Sequence, residues 1–318
     1  MIKNNLEGPW PGPEGMIPVT SGRADDANVH TRNYLDHILV EMRNIDSVMP
    51  STTTRLFGKE FSMPFMTPAF SHLDKVTAGR RPMLEYAQAA KELQILNFVG
   101  MEPDDEYADI AAIGAPTVRI IKPFADHDVI LEQIEFAEKH GAVAVGIDID
   151  HVPGKNGQYD CPDGMQLGPV MLNDLKRYVK AAHVPFIAKG VLSVSDALKC
   201  QQAGCKAVVV SHHHGRVPFG MPPVAMLPSI KKALKDSGML IFCDCHIDSG
   251  YDAYKALALG ADAVAPGRAI LRPLLNEGKN GVIRTLSQMK NQLVELMLYT
   301  GVADTNSFDP AVLHISQI

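Results

Sequence analysis

The sequence predicts an α/β fold, a (β/α)8 TIM barrel, from three observations. Eight short apolar runs alternate with amphipathic helical stretches. Each run is bounded by polar, glycine or proline residues, as parallel strands buried on both faces are. Polar and charged residues collect just after the runs, where barrels of this type keep their chemistry.

The runs are residues 63–69, 94–100, 117–122, 142–149, 185–189, 207–211, 240–244 and 261–266. The helical stretches between them include 81–93, 128–140, 172–182, 194–203, 225–235 and 251–259. Ahead of the first run, 24–45 carries a helical pattern with Leu35, Ile38 and Leu39 on one face. A long final helix is predicted over 280–299. No linker divides the chain. It reads as a single TIM-barrel domain over 1–318, with an N-terminal extension to about residue 60 and a Gly/Pro-rich lead-in over 1–20.

With 318 residues, 46% of them hydrophobic and 21% charged, the chain has the balance of a globular protein with a large core. A net charge of −6 argues against a nucleic-acid partner. No apolar run reaches the roughly 18 residues of a spanning helix, so no membrane partner is expected. The opening MIKNNLEGPWPGPEG has no apolar signal-peptide region. Cys161, Cys200, Cys205, Cys243 and Cys245 are odd in number and lack disulfide-framework spacing. Reduced thiols in a cytoplasmic protein are expected.

The strand ends supply the candidate site. Asp148 and Asp150 end the fourth run, and their spacing puts both carboxylates on one side of a strand. Such a pair can share a proton, hold a metal or partner basic groups. Lys189 ends the fifth run and can stabilise negative charge or form a Schiff base. The sixth continues as SHHHGR, residues 211–216, offering a histidine base near neutral pH and an arginine fork for a carboxylate. Solvated loop histidines are the plainer reading of an isolated loop, but this one follows a barrel strand. Asp244, Cys245 and His246 follow the seventh run. Gly267 and Arg268 follow the eighth and open a helix, a combination suited to a phosphate.

From about Ser21 to the C-terminus these segments resemble the FMN-dependent 2-hydroxy-acid oxidase and dehydrogenase family, which includes glycolate oxidase, lactate oxidase and flavocytochrome L-lactate dehydrogenase. SGRADD at 21–26 resembles SGAxDE, and TTTRLFGKEFSMPFMTPAF at 52–70 resembles TTxLG…SMPxxxAPTA. AKGVLSVSDALKCQQAGCKAVVVSHHHGR at 188–216 resembles KGVxxxEDAxxAxxxGAxGIxVSNHGGR. KALALGADAVAPGR at 255–268 is the most specific match. The resemblance implies FMN as cofactor, a small anionic substrate and a homo-oligomer, a tetramer in the family pattern. By position it makes His213 the base, Asp150 its carboxylate, Arg216 the substrate-carboxylate grip and Lys189 the lysine beside the flavin ring. Ala69, Asp148, Ser211, Asp244, His246, Gly267 and Arg268 fall on cofactor-binding positions, and no metal is implied.

The departures are specific. The family's DGGxRRG reads DCHIDSG at 244–250, so Cys245 and His246 replace glycines while Asp248 and Ser249 replace arginines. Asp248 would place negative charge near the phosphate, so weaker FMN binding than the family norm is expected. Ile120, Lys122 and Asp148 stand where the family has Gln, Tyr and Thr. A second substrate arginine is missing; Lys155 and Lys122 are the nearest cations. The reading is therefore an FMN-dependent oxidation of a 2-hydroxy acid or a larger relative with one anionic end. The alternative is a flavin-independent or metal-dependent barrel enzyme, drawing on Asp148, Asp150, His151, His212, His214, Asp244, Cys245 and His246.

Overall fold

The computed structural model describes residues 23–71, 73, 79–154 and 157–316. The lead-in over 1–20, the first two residues of SGRADD and Lys155 lie outside the described residues. Seven strands form one parallel sheet in chain order: β1 (Asn97–Val99), β2 (Thr117–Ile121), β3 (Ala144–Asp148), β4 (Phe186–Val191), β5 (Ala207–Val210), β6 (Leu240–Cys243) and β7 (Ala263–Val264). Helices Asp104–Ala112, His127–Lys139, Leu172–Ala181, Val194–Ala203, Pro223–Ala233 and Gly250–Ala258 connect them in turn. The first of these carries no sequence expectation. It presents Asp104, Asp105 and Glu106 in its first turn and buries only Tyr107 and Ile110. Acidic residues suit a helix N-terminus.

Residues 63–69, expected as a full strand, and Phe70 after them pair only as isolated bridges: Phe65 with Val264, Met66 with Leu96 and Phe70 with Val99. Met66 N–H donates to Val264 O at 2.9 Å, and Thr67 N–H donates to Leu96 O at 3.0 Å. Pro64 and Pro68 lack the N–H groups a regular ladder would need. The segment nonetheless reaches both edges of the sheet.

Two helix boundaries differ from expectation. The 24–45 stretch is a helix only over Ala27–Asp36. Ile38–Val40 instead pairs antiparallel with Leu313–Ile315, a partner 275 residues away that no local pattern reveals. The final helix is preceded by another, Gly267–Glu277, and itself runs over Lys279–Thr300, with Gly278 at the break. Among the described residues, no helix is long and apolar enough to cross a membrane.

The period of two along each strand links core to site. Phe98, Val118, Ile120, Ala144, Ile187, Ala207, Val209, Phe242, Ala263 and Ala265 form one buried apolar cluster inside the curved sheet. Leu56 and Phe61, from the hairpin Thr54–Leu56/Lys59–Phe61, join it. That hairpin turns through Phe57 and Gly58, both at positive φ, and Phe57 packs edge-on to Phe242. Two residues further along each strand the same alternation reaches Lys122, Asp148, Lys189, Ser211, Asp244 and Gly267. The polar mouth is thus the continuation of the apolar interior.

Gly146 lies within this alternation. A Cβ there would sit 2.5 Å from Ile187 O and 2.9 Å from Ile120 Cδ1. Gly146→Ala is expected to cost about 1–3 kcal/mol by overpacking. Urea unfolding checks this, and a change within about 0.5 kcal/mol would show that the interior yields there.

Candidate active site

Asp148 is the most enclosed carboxylate of the mouth, 2% exposed. It neighbours Lys189 directly across β3 and β4. Lys189 Nζ donates to its Oδ1 at 2.9 Å, and Lys122 Nζ, from just beyond β2, donates to its Oδ2 at 2.5 Å. Burial opposes its ionisation, but Lys122 and Lys189 outweigh that and hold Asp148 well below the usual carboxylate range. Burial pulls Lys122 down. Lys189 is raised despite its burial, because Asp148, Asp150 and Asp244 surround it.

His213 and Asp150 meet beside this cluster. His213 Nδ1 lies 2.9 Å from Asp150 Oδ1, 3.4 Å from Asp148 Oδ1 and 3.5 Å from Lys189 Nζ. Burial lowers the His213 imidazole well below its ordinary value, with Lys189, Lys122 and Arg216 adding to the effect. Asp150 is pushed up to about 7 by burial and by Asp148. The second Asp150 oxygen, Oδ2, is buried without a hydrogen-bond partner, as is His151 Nδ1.

The three histidines of the SHHHGR turn have different roles. His212 Nδ1 accepts from Gly215 N–H at 3.0 Å, so its Nε2–H donates to Thr31 Oγ1 at 2.8 Å. Both nitrogens are thereby used in pinning the turn to the Ala27–Asp36 helix. Burial lowers His212 to about 4. Ser211 Oγ accepts the His213 N–H at 3.0 Å, and Asn28 Nδ2 donates to His214 O at 2.9 Å. These two contacts hold His213 and His214 at φ of +48° and +62°. Arg216, beyond the turn, touches His151 Nε2, donates to Pro153 O at 3.3 Å and lies 3.6 Å from Asp160. His151 Nε2 is also 2.9 Å from Asp160 Oδ2, and burial lowers His151 to about 3. Asp160, Asn28 and Thr31 carry no sequence expectation. The contacts of Asp160 with Arg216, of Asn28 with His214 and of Thr31 with His212 cross 56, 186 and 181 residues of chain and leave no local pattern.

The remaining expected residues gather around a second group. His246 Nε2 lies 3.0 Å from Arg268 Nη1, and His246 Nδ1 lies 3.0 Å from Asp248 Oδ2. Arg268 Nη2 donates to Asn28 Oδ1 at 2.9 Å. Burial would raise Asp248, but His246, Arg32 and Arg268 beside it hold it below its ordinary value. Cys245 Sγ is 3.0 Å from Asp244 Oδ1, and burial raises both groups. Ala69, Lys189, His213, Asp244, Gly267 and Arg268 share the lining of one cavity of about 40 Å³. His246 lines it too, while Asp148, Asp150, Ser211 and Arg216 lie outside that lining, Asp148 against Lys189, Asp150 and Ser211 against His213, and Arg216 against His151 and Asp160.

The donors have a definite character. Of the metal-ligand pool, only Asp148 and His151, with His213, form a group of three whose ligand atoms all lie within 4.8 Å of one another among the described residues. Both Asp148 oxygens are taken by lysines, and His151 Nε2 is taken by Asp160 and Arg216. The charge around them suits an anion better than a cation. FMN fits in kind. The Gly267–Glu277 helix has no side-chain cap, a Cβ on Gly267 would meet nothing within 4 Å, and Arg268 stands in its first turn. Those are groups for a phosphate. Lys189 adds a buried cation to the lining of the same cavity.

The FMN-dependent dehydrogenase family model matches residues 13–172 and 163–315. A 2-hydroxyacid oxidase of Dictyostelium discoideum is 26% identical over 308 residues, spanning 86% of this chain and 79% of that one. An L-lactate oxidase of a Roseobacter species is 32% identical over 160 residues, spanning 50% of this chain and 43% of that one. A crystal structure of mandelate oxidase with 3,3-difluoro-2-hydroxy-3-phenylpropionic acid superposes with a TM-score of 0.80 at 25% identity, covering 91% of this chain and 90% of that one. With a family model spanning nearly its whole length, the chain belongs to the FMN-dependent dehydrogenase family.

Proposed function

We propose that this chain oxidises a 2-hydroxy acid, with His213 as base, Asp150 as its partner, Arg216 as the carboxylate grip and Lys189 as the cofactor-side cation. The observation carrying this reading is the His213–Asp150 contact at 2.9 Å, buried beside Lys189. When bound, FMN supplies the two-electron acceptor for the substrate's α-carbon. Gly267, Arg268, Asp244 and Lys189 would hold it, with Ala69, Ser211 and His246 at its edges. Asp148 serves indirectly, fixing both lysines.

A neutral His213 is competent to take a proton from the substrate hydroxyl. With Asp150 ionised, Nδ1–H points at that carboxylate and the Nε2 lone pair is left for the substrate. The Asp150 charge then stabilises the imidazolium that forms. Arg216 is held in place by His151, Pro153 O and Asp160 before any ligand arrives. Its planar fork suits a carboxylate. Lys122, engaged with Asp148, is not placed to share that task.

The finer architecture belongs to the same reading. Residues 63–70, bridging Val264 on one side and Leu96 on the other, act as the eighth stave of a closed (β/α)8 barrel. The chain is one such domain over 1–318 with an N-terminal extension to about residue 60. Exposed Leu39, Met42, Ile45, Val48 and Met49 support self-association as a homo-oligomer. Five unpaired cysteines agree with a cytoplasmic setting.

Two measurements test the roles. Asp150 must lose its proton to orient His213, so kcat/KM should rise as pH increases through about 7. Asp150→Asn should remove that limb and lower kcat by about 10²–10⁴-fold; an unchanged profile would separate Asp150 from the base. Arg216→Met should raise KM for the best hydroxy acid by roughly tenfold to a hundredfold, the loss of a charge-assisted bond, while sparing the corresponding amide. Equal losses for acid and amide would show that Arg216 does not read the carboxylate.

A further inference from the structure

We infer that His246 is a built-in plug of the FMN phosphate cradle, which couples the Asp248 carboxylate to Arg268 and must be displaced before the phosphate can settle. This rests on the FMN reading above and concerns how the chain handles that group.

The hydrogen-bond roles follow from the partners. An arginine can only donate, so His246 Nε2 accepts from Arg268 Nη1 at 3.0 Å. The imidazole proton is then on Nδ1, where it donates to Asp248 Oδ2 at 3.0 Å. A neutral ring thus relays a carboxylate to the guanidinium that would otherwise meet the phosphate. Asp248 is anchored from behind by Arg32 at 3.5 Å. Arg32 also pairs with Asp252 at 2.7 Å, and Asp248 N–H donates to Asp252 Oδ2 at 3.2 Å. The far side of Arg268 is taken up by Asn28 Oδ1. The network runs unbroken from Arg32 to Asn28 across the head of the Gly267–Glu277 helix.

Backbone geometry makes the same point independently. His214, Cys245 and His246 line the cavity at φ of +62°, +68° and +57°. Left-handed backbone favours glycine. Here three side chains occupy it together and reduce the space among them to about 40 Å³, room for a few waters. Strain of this kind persists only where the surroundings hold it, and the His246 contacts with Arg268 and Asp248 do so.

FMN and riboflavin share the ring and ribityl chain and differ in the phosphate, so the pair isolates the plug. Dissociation constants of both are measured by fluorescence quenching for the full chain and for His246→Gly and Asp248→Asn. Glycine is at ease at φ +57°, so the first variant is expected to keep its fold; circular dichroism and the thermal midpoint check both. The expected result is that the unaltered chain prefers FMN to riboflavin by less than about tenfold. Each variant should tighten FMN by about tenfold or more, with riboflavin changing less than about threefold. An FMN affinity within about twofold of the unaltered chain in both variants would overturn the plug. So would equal tightening of both ligands, which would mean simple widening of the cavity. If no form binds FMN, the plug and the cofactor reading fall together. Tight FMN binding by every form removes the plug alone.

Discussion

Asp148 is buried between two lysine ammonium groups at the ends of neighbouring strands, and the charge of the whole mouth follows from that arrangement. An unpaired carboxylate at this depth would be costly, and removing one partner of such a cluster costs about 3–5 kcal/mol. Lys122 and Lys189 are therefore obligatory companions. Once they are fixed, Asp150 next door is raised by its own burial and by the already ionised Asp148 beside it. His213 in turn sits among Lys122, Lys189 and Arg216 and stays neutral. A neutral imidazole beside a carboxyl near its titration point is the arrangement a general base requires.

The sheet makes this cluster possible because its side chains alternate. Val118 and Ile120 lead to Lys122, Ala144 and Gly146 lead to Asp148, and Ile187 leads to Lys189. The apolar layers beneath exclude water and raise the strength of every contact above them. The Ala27–Asp36 helix contributes from outside the sheet. Thr31 and Asn28 clamp the SHHHGR turn, and Arg32 fixes the turn that carries His246 and Asp248. Of the ten non-glycine residues at positive φ among the described residues, four, His213, His214, Cys245 and His246, lie in these two turns after β5 and β6. Adjacent pairs of such residues are held there by the contacts of the mouth against local preference.

Much of this was legible in the residues. Apolar runs gave seven strands close to where they occur, and the rule that chemistry follows strand ends pointed to Lys189, His213, Asp244, Gly267 and Arg268, which line one cavity, and to Asp148, Asp150 and Ser211, which touch Lys189 or His213. What stayed hidden depends on distance along the chain. Ile38–Val40 reads as helix until its partner at Leu313–Ile315 is known. Position singles out His213 as the base, but the part His212 plays in pinning the turn is hidden until Thr31 claims its second nitrogen. Residues 63–69 read as a strand because the apolar pattern is right, while Pro64 and Pro68 deny it a regular ladder. The His151–Asp160–Arg216 contacts depend on the fold of the loop after β3, whose composition is that of an ordinary polar loop.

The central claim is that this mouth oxidises a 2-hydroxy acid through bound FMN. Its most direct test is an anaerobic titration of the FMN-loaded protein with a panel of 2-hydroxy acids, followed by the visible flavin band. The account predicts bleaching by at least one acid with a bulky or extended side chain, little or none by its analogue lacking the α-hydroxyl, and none by the same acid after His213→Ala. A band that dithionite bleaches but no 2-hydroxy acid does would contradict it, as would equal bleaching by the deoxy analogue.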